Sequence, residues 1–345
     1  MKGARKFAAS DVHLVRGLAP AVRLDGNIQF LDGEPLDEPA LQAMVAELLT
    51  QRQKAELDEV WQVCFSRHLS GVGRFRASIY LHAGCPELAI RICETVVRTH
   101  EELGLPPLVN DLTRLTSGLV LITGPTGVGK TTTLNYMINL INQERRAKIV
   151  TIEDPVEFVH ENRKSIVIQQ EVGTDVQSFR KALVHVLRQD PDVIVVGEMR
   201  DLETIETTLI AAETGHLVLA TLHTPDAVQT VQRVHSVFPP EQQNMIILQL
   251  ANSLQAIVAQ KLLPRAVGGR VLAWEVCVAT AAVRNHIRDQ NSHQLFSEMQ
   301  TGRKHGMRTM DASLTELYQK GEITFDVALS NAREPGAFRA AQQAQ

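Results

Sequence analysis

Residues 118–131 read G-L-V-L-I-T-G-P-T-G-V-G-K-T, an apolar run that closes on a glycine-rich loop. The pattern G-x-x-x-x-G-K-[ST], filled here by Gly124 to Thr131, needs a buried strand before it and a helix after it. Leu119–Thr123 has the length and β-branching of such a strand. Beyond the loop, Leu134, Met137, Ile138 and Ile141 fall on one helical face. A backbone that grips phosphate needs glycines, because a Cβ would keep successive N–H groups from turning inward. It also needs a helix start, whose dipole favours negative charge. Gly124, Gly127 and Gly129 meet the first need, with Pro125, Thr126 and Val128 between them. Lys130 then brings a positive charge to the β- and γ-phosphates, Thr131 a hydroxyl for magnesium, and Thr132 extends the binding set. The expected ligands are ATP and Mg2+.

Outward from the loop, short apolar runs alternate with helical stretches. Ile149–Ile152, Val193–Val196 and Leu217–Ala220 read as further strands, with helices near 131–142, 178–188, 202–213 and 226–235. This alternation predicts a parallel sheet covered on both faces, hence an α/β domain. Past residue 240 the pattern reads as mainly helical, and 333–345 as a polar, mobile tail.

The first hundred residues read as a separate small α/β domain. Val12–Val15 and Ala21–Leu24 look like strands, with Asp25-Gly26-Asn27 turning into Ile28–Phe30. Pro39–Lys54 has helical spacing, and Gly73–Tyr80 alternates, with Phe75, Ala77 and Ile79 on one face and Arg74 and Arg76 on the other. Gly104, Pro106 and Pro107 mark a connector. The expected organisation is an N-terminal domain over 1–100, a linker over 101–112, an ATPase domain over 113–332 and the tail.

Composition narrows the function classes. The 345 residues carry 35 basic and 39 acidic groups, a formal charge of −4, and only 4% aromatics. Scattered Lys and Arg with few stacking rings argue against nucleic acid as a partner. Cys64, Cys85, Cys93 and Cys277 form no C-x-x-C pair, and no secretory signal precedes them, so packing roles in a reducing cytoplasm are expected. No apolar run is long enough to span a bilayer, so membrane contact is expected only through a partner.

Hydrolysis needs groups that hold a metal and orient water, and in α/β sheets these stand beyond the carboxyl ends of the strands. Two acidic clusters qualify: Glu153-Asp154-Pro155-Val156-Glu157, and Glu198 after Val193–Gly197. Two histidines, His216 and His223, are read as following the next strand, and a histidine after a strand end can sense a γ-phosphate by hydrogen bonding.

Together, T-I-E-D-P-V-E-F-V-H at 151–160, V-G-E-M-R-D at 196–201, A-A-E-T-G-H-L-V at 211–218 and T-L-H-T at 221–224 resemble the secretion and type IV pilus ATPase superfamily. There they correspond to the Asp box, an atypical Walker B and the His box. Within it the chain looks most like the retraction ATPases of type IV pili, which lack the long N-terminal region and tetracysteine motif of assembly ATPases. Their A-I-R-N-L-I-R-E segment is A-V-R-N-H-I-R-D here at 282–289, departing at Val283, His286 and Asp289. The resemblance implies a RecA-like ATPase domain behind a PAS-like domain. It implies Lys130 and Thr131 on phosphate and magnesium, Glu157 as general base, Glu198 near the metal and His223 on the γ-phosphate. It also implies a homo-hexamer with first-domain arginines acting in trans, for which Arg76 and Arg91 are the candidates, and an inner-membrane platform protein as the load. An assembly or secretion ATPase, or a RecA-like nucleic-acid motor, is the alternative.

Overall fold

The computed structural model describes residues 3–4, 7, 9–24, 27–70, 73–93, 96–336 and 338–339. The expected Asp25-Gly26 turn lies outside the described residues. The chain divides into two compact units. One comprises Met1–Val96 with Pro155–Val159, the other Val97–Asp154 with His160–Gln345.

The first unit is a six-stranded antiparallel sheet of β1 (Asp11–Leu14), β2 (Ala21–Leu24), β3 (Asn27–Phe30), β4 (Gln62–Leu69), β5 (Gly73–His82) and β6 (Cys85–Ile92). Its order is β3-β2-β1-β6-β5-β4. Period-two alternation decides its faces: Val12, Val22, Phe65, Phe75, Ile79 and Leu88 turn inward and pack with Leu41, Val45 and Leu57. These last three come from two helices, α1 (Glu38–Leu48) and α2 (Gln51–Val60). The sequence reads as one helix over Pro39–Lys54, but the chain breaks at Leu49. Thr50 and Gln53 then form a capping box that starts α2.

The second unit is built on seven strands: β7 (Gly118–Thr123), β8 (Lys148–Glu153), β9 (Ile166–Glu171), β10 (Val193–Val196), β11 (Leu217–Leu222), β12 (Leu254–Pro264) and β13 (Arg270–Val278). Their order is β13-β12-β7-β11-β10-β8-β9, and only the β12–β13 pair is antiparallel. Strand β7 feeds both cores, Leu119 and Leu121 on one face, Val120 and Ile122 on the other. Burial on both faces explains why its sequence is continuously apolar. One face is covered by α6 (Phe179–Val186), α7 (Leu202–Glu213), α8 (Ala227–Ser236) and α9 (Pro240–Ser253). The other is covered by α5 (Lys130–Glu144) and by residues just before β7.

Three expectations are corrected. The region past 240 is mainly helical but also holds two strands that the sequence reading missed: β12 and β13 widen the sheet before α10 (Ala281–Arg288), α11 (Gln294–Thr301), α12 (Met310–Gln319) and α13 (Phe325–Asn331) follow. Residues 101–112 hold two short helices, α3 (His100–Leu103) and α4 (Leu108–Leu112), and bury Leu105, Val109 and Leu112 in the second unit's core. Part of the polar tail is anchored, because Phe338 is buried against Tyr318 and Phe325 while Asp311 accepts from the N–H groups of Arg333 and Glu334.

Candidate active site

In the second unit β7, β11, β10 and β8 run parallel, so their carboxyl ends share one edge. At that edge β7 passes into the loop and α5 begins at Lys130. Gly124 takes φ +139°, and a Cβ there would stand 2.4 Å from the Gln260 carbonyl oxygen on β12. Only glycine fits both the dihedral and the neighbouring strand. Gly127 and Gly129 also have positive φ. Gly129 is the N-cap of α5 and offers no side-chain acceptor, so the first-turn N–H groups are left to an anion. Thr131 and Thr132 are exposed beside them. Loop, helix start and buried lysine therefore fit a polyphosphate.

The Lys130 ammonium is drawn back into its own loop. Its Nζ donates to the carbonyl oxygens of Gly124 at 2.7 Å and Pro125 at 2.9 Å, and lies 3.3 Å from His223 Nδ1. Burial pushes its pKa down, and the Glu198 carboxylate opposes that shift. His223 stands at the end of β11 beside the loop, its Nδ1 also 3.4 Å from Thr126 Oγ1. Its Nε2 is 2.7 Å from Glu198 Oε1. One tautomer satisfies all of these contacts: neutral imidazole with the proton on Nε2 donating to Glu198, and Nδ1 accepting from Lys130 and Thr126.

Glu198 completes its bonding through Arg200, whose Nε is 2.8 Å from Oε2 and whose other guanidinium edge lies 3.7 Å from Asp154. A continuous chain thus runs Lys130, His223, Glu198, Arg200, Asp154 across the ends of four neighbouring strands. Arg200 was not among the expected site residues, and Asp154 was expected only as a member of the 153–157 acidic cluster. The sequence signal was present, since Arg200 stands two residues after Glu198 and Asp154 directly follows β8.

Other expected residues are placed elsewhere. His216 precedes β11, so it lies at the opposite edge from the loop, about 20 Å away for six residues at about 3.3 Å each. There its Nδ1 is 3.0 Å from the Ala211 carbonyl at the end of α7, a capping contact. This corrects its assignment to the catalytic set. Glu157 belongs to the first unit, in the Pro155–Val159 segment, where Arg74 Nε donates to the Val156 carbonyl. It stands near Cys93, whose thiol is pushed up to about 11, first by burial and then by Glu157. Arg76 and Arg91 are register partners on β5 and β6, and Arg91 pairs with Asp11 at 2.9 Å. His160, three residues after Glu157, is buried in the second unit with Nε2 3.0 Å from Asn135 Oδ1 on α5. Burial depresses its pKa to about 4.

The family described as Type II/IV secretion system protein matches residues 73–329. The chain belongs to that family. Within the secretion family it is similar to the type IV pilus retraction ATPase PilT of Pseudomonas aeruginosa, 42% identical over 96% of this chain and 97% of that protein. It is also similar to the type IV pilus ATPase PilU of the same organism, 37% identical over 96% and 87%. Among solved structures it superposes on the pilus retraction motor PilT with bound ADP at a TM-score of 0.92. Identity there is 44%, over 98% of this chain and 97% of that one. That agreement extends to the α/β architecture of the whole chain. Among the described residues no helix is long and apolar enough to cross a membrane.

Proposed function

We propose that the chain hydrolyses ATP to power the retraction of a type IV pilus. The observation that carries this reading is the linked Lys130–His223–Glu198 cluster at the mouth of the loop, in a chain similar to PilT along nearly all its length. A triphosphate competes with the Gly124 and Pro125 carbonyls for the Lys130 ammonium. Moving Lys130 onto phosphate leaves His223 Nδ1 without that donor, so occupancy of the loop is felt at Glu198. Thr131 and Glu198 would hold a magnesium ion, which supplies charge neutralisation between the β- and γ-phosphates when bound. Glu157 accepts the proton of the attacking water, the terminal phosphoanhydride P–O bond breaks, and ADP and phosphate leave.

Arg76 and Arg91 would complete the charge compensation on the nucleotide of a neighbouring copy in a homo-hexamer. The work is delivered to an inner-membrane platform protein from the cytoplasmic side, without nucleic acid. Phosphate release and twitching of complemented cells test this reading. Lys130→Ala and Glu157→Ala should each lower turnover by about a hundredfold or more and abolish twitching. His216→Ala, remote from the loop, should stay within about threefold of the parent. Full turnover in either of the first two variants would overturn the chemistry, and stimulation by DNA would point to a nucleic-acid motor.

A further inference from the structure

Trp61 breaks three local rules at once. It is a bulky residue in the left-handed region (φ 61°, ψ 13°), where Cβ sterics disfavour anything but glycine or asparagine. Its indole is 68% exposed, beside Val60 at 54% and Leu81 at 39%. Leu81 is tied to it, since the Leu81 N–H donates to the Trp61 carbonyl at 3.0 Å. Helix α2 ends at Val60 with no basic residue in its last turn, while Glu56, Asp58 and Glu59 are exposed on that turn. Acidic groups at the negative end of a helix dipole repel it. Arg52 and Lys54 stand one turn back from Glu56 and Asp58, which leaves Glu59 without a cation at that spacing, and His82 is paired with Glu87 at 3.0 Å.

We infer that Val60, Trp61 and Leu81, rimmed by Glu56, Asp58 and Glu59, form a docking surface for a basic segment of a partner protein. A guanidinium or ammonium laid on the Trp61 face gains the ring quadrupole and the acidic rim together, and tryptophan with arginine is a recurrent interface pair. Charge complementarity selects this occupant. An anionic lipid surface meets three carboxylates, and a ring contact with another copy, which pairs unlike surfaces, is told apart by the identity of the crosslinked peptide. The surface lies in the first unit and stands independently of the nucleotide reading.

The test places the photo-crosslinker p-benzoylphenylalanine at Val60 of the full chain in cells and maps the adduct peptide. The expected adduct lies in another protein, within about four residues of an arginine or lysine, one helical turn. Its yield should fall about tenfold in Trp61→Gly and in Glu56→Lys/Glu59→Lys. Trp61→Gly suits the observed φ and should keep ATP turnover and melting temperature, and the two charge reversals sit on exposed helix positions. Adducts on lipid, on another copy of this chain or on a segment without basic residues would overturn the inference. So would the absence of an adduct, or a yield unmoved by the charge reversals.

Discussion

His160 sets a measurable pH dependence on the second unit. Its folded pKa of about 4 lies below the ordinary value of 6.5 because burial penalises the imidazolium. At pH 7 the ring is neutral in both folded and unfolded chains, so nothing is lost. As pH falls below 6.5 the unfolded chain takes up a proton that the folded one refuses, and stability drops until the folded group itself titrates near 4. A depression from 6.5 to about 4, at about 1.4 kcal/mol per pH unit, amounts to roughly 3 kcal/mol over the whole window, and to about 2 kcal/mol at pH 5. For a unit of this size that is about 4–8 °C in melting temperature between pH 7 and pH 5. His160→Gln keeps a donor for Asn135 Oδ1 but cannot charge. Calorimetry at the two pH values, parent against variant, isolates the effect because all other carboxylates and histidines are shared. The variant should lose about 4–8 °C less than the parent. Equal losses would refute the assignment. His160 follows Glu157 by three residues, so the acid limb of ATP turnover should shift down in the same variant.

The loop's close fit predicts that Gly124→Ala costs about 3 kcal/mol or more, since its Cβ would meet the Gln260 carbonyl at 2.4 Å in a glycine-only φ. Scanning calorimetry should read a drop of about 6–12 °C. Gly127→Ala, where a Cβ meets open space, should cost only about 1–2 kcal/mol for its positive φ. Arg200→Ala removes the donor on Glu198 Oε2 and should lower kcat about tenfold with little change in KM, read from steady-state phosphate release. Arg284 donates to the carbonyls of Ala251, Asn252 and Ala279 at the end of α9 and beyond, so its loss should lower the melting temperature. The exposed Arg288 holds only Asn285 and Asn252 side chains among the described residues. Arg288→Ala should therefore keep turnover and melting temperature, and twitching assays of that variant separate coupling from folding.

What the sequence made legible follows from chain geometry. Lys130, Glu198 and His223 could be grouped because parallel strands deliver their carboxyl ends to one edge, so a residue just past each strand needs no further placement. His216 failed the same rule: it precedes its strand, and that alone sends it to the far edge. Arg200 lies in a loop, where no periodicity assigns a side chain its direction, and only the finished geometry turns it onto Glu198. Strand β12 escaped because α9 passes into it without glycine or proline, Ser253 ending the helix and Leu254 starting the strand. Its alanines, leucines and glutamines read as helix formers. The tail misled in the opposite sense, since its polar composition hid one aromatic anchor, Phe338.

Glu157 marks the deeper limit. Its motif is continuous in sequence with β8, yet Pro155–Val159 packs with the first unit while Asp154 and His160 on either side belong to the second. Sequence adjacency to the strand end therefore does not give the structural home of Glu157. Directly after that excursion His160 is buried and neutral, with its ring against Asn135 of α5, the helix that starts at Lys130. The residues that follow are tied to α5 at several points, by His160 on Asn135, by the Asn142 amide on the Glu161 carbonyl and by the Arg163 N–H on Asn142 Oδ1. The acid sensitivity of His160 and the catalytic competence of Glu157 should accordingly move together, and a His160→Gln chain whose acid limb of turnover stays fixed would separate them.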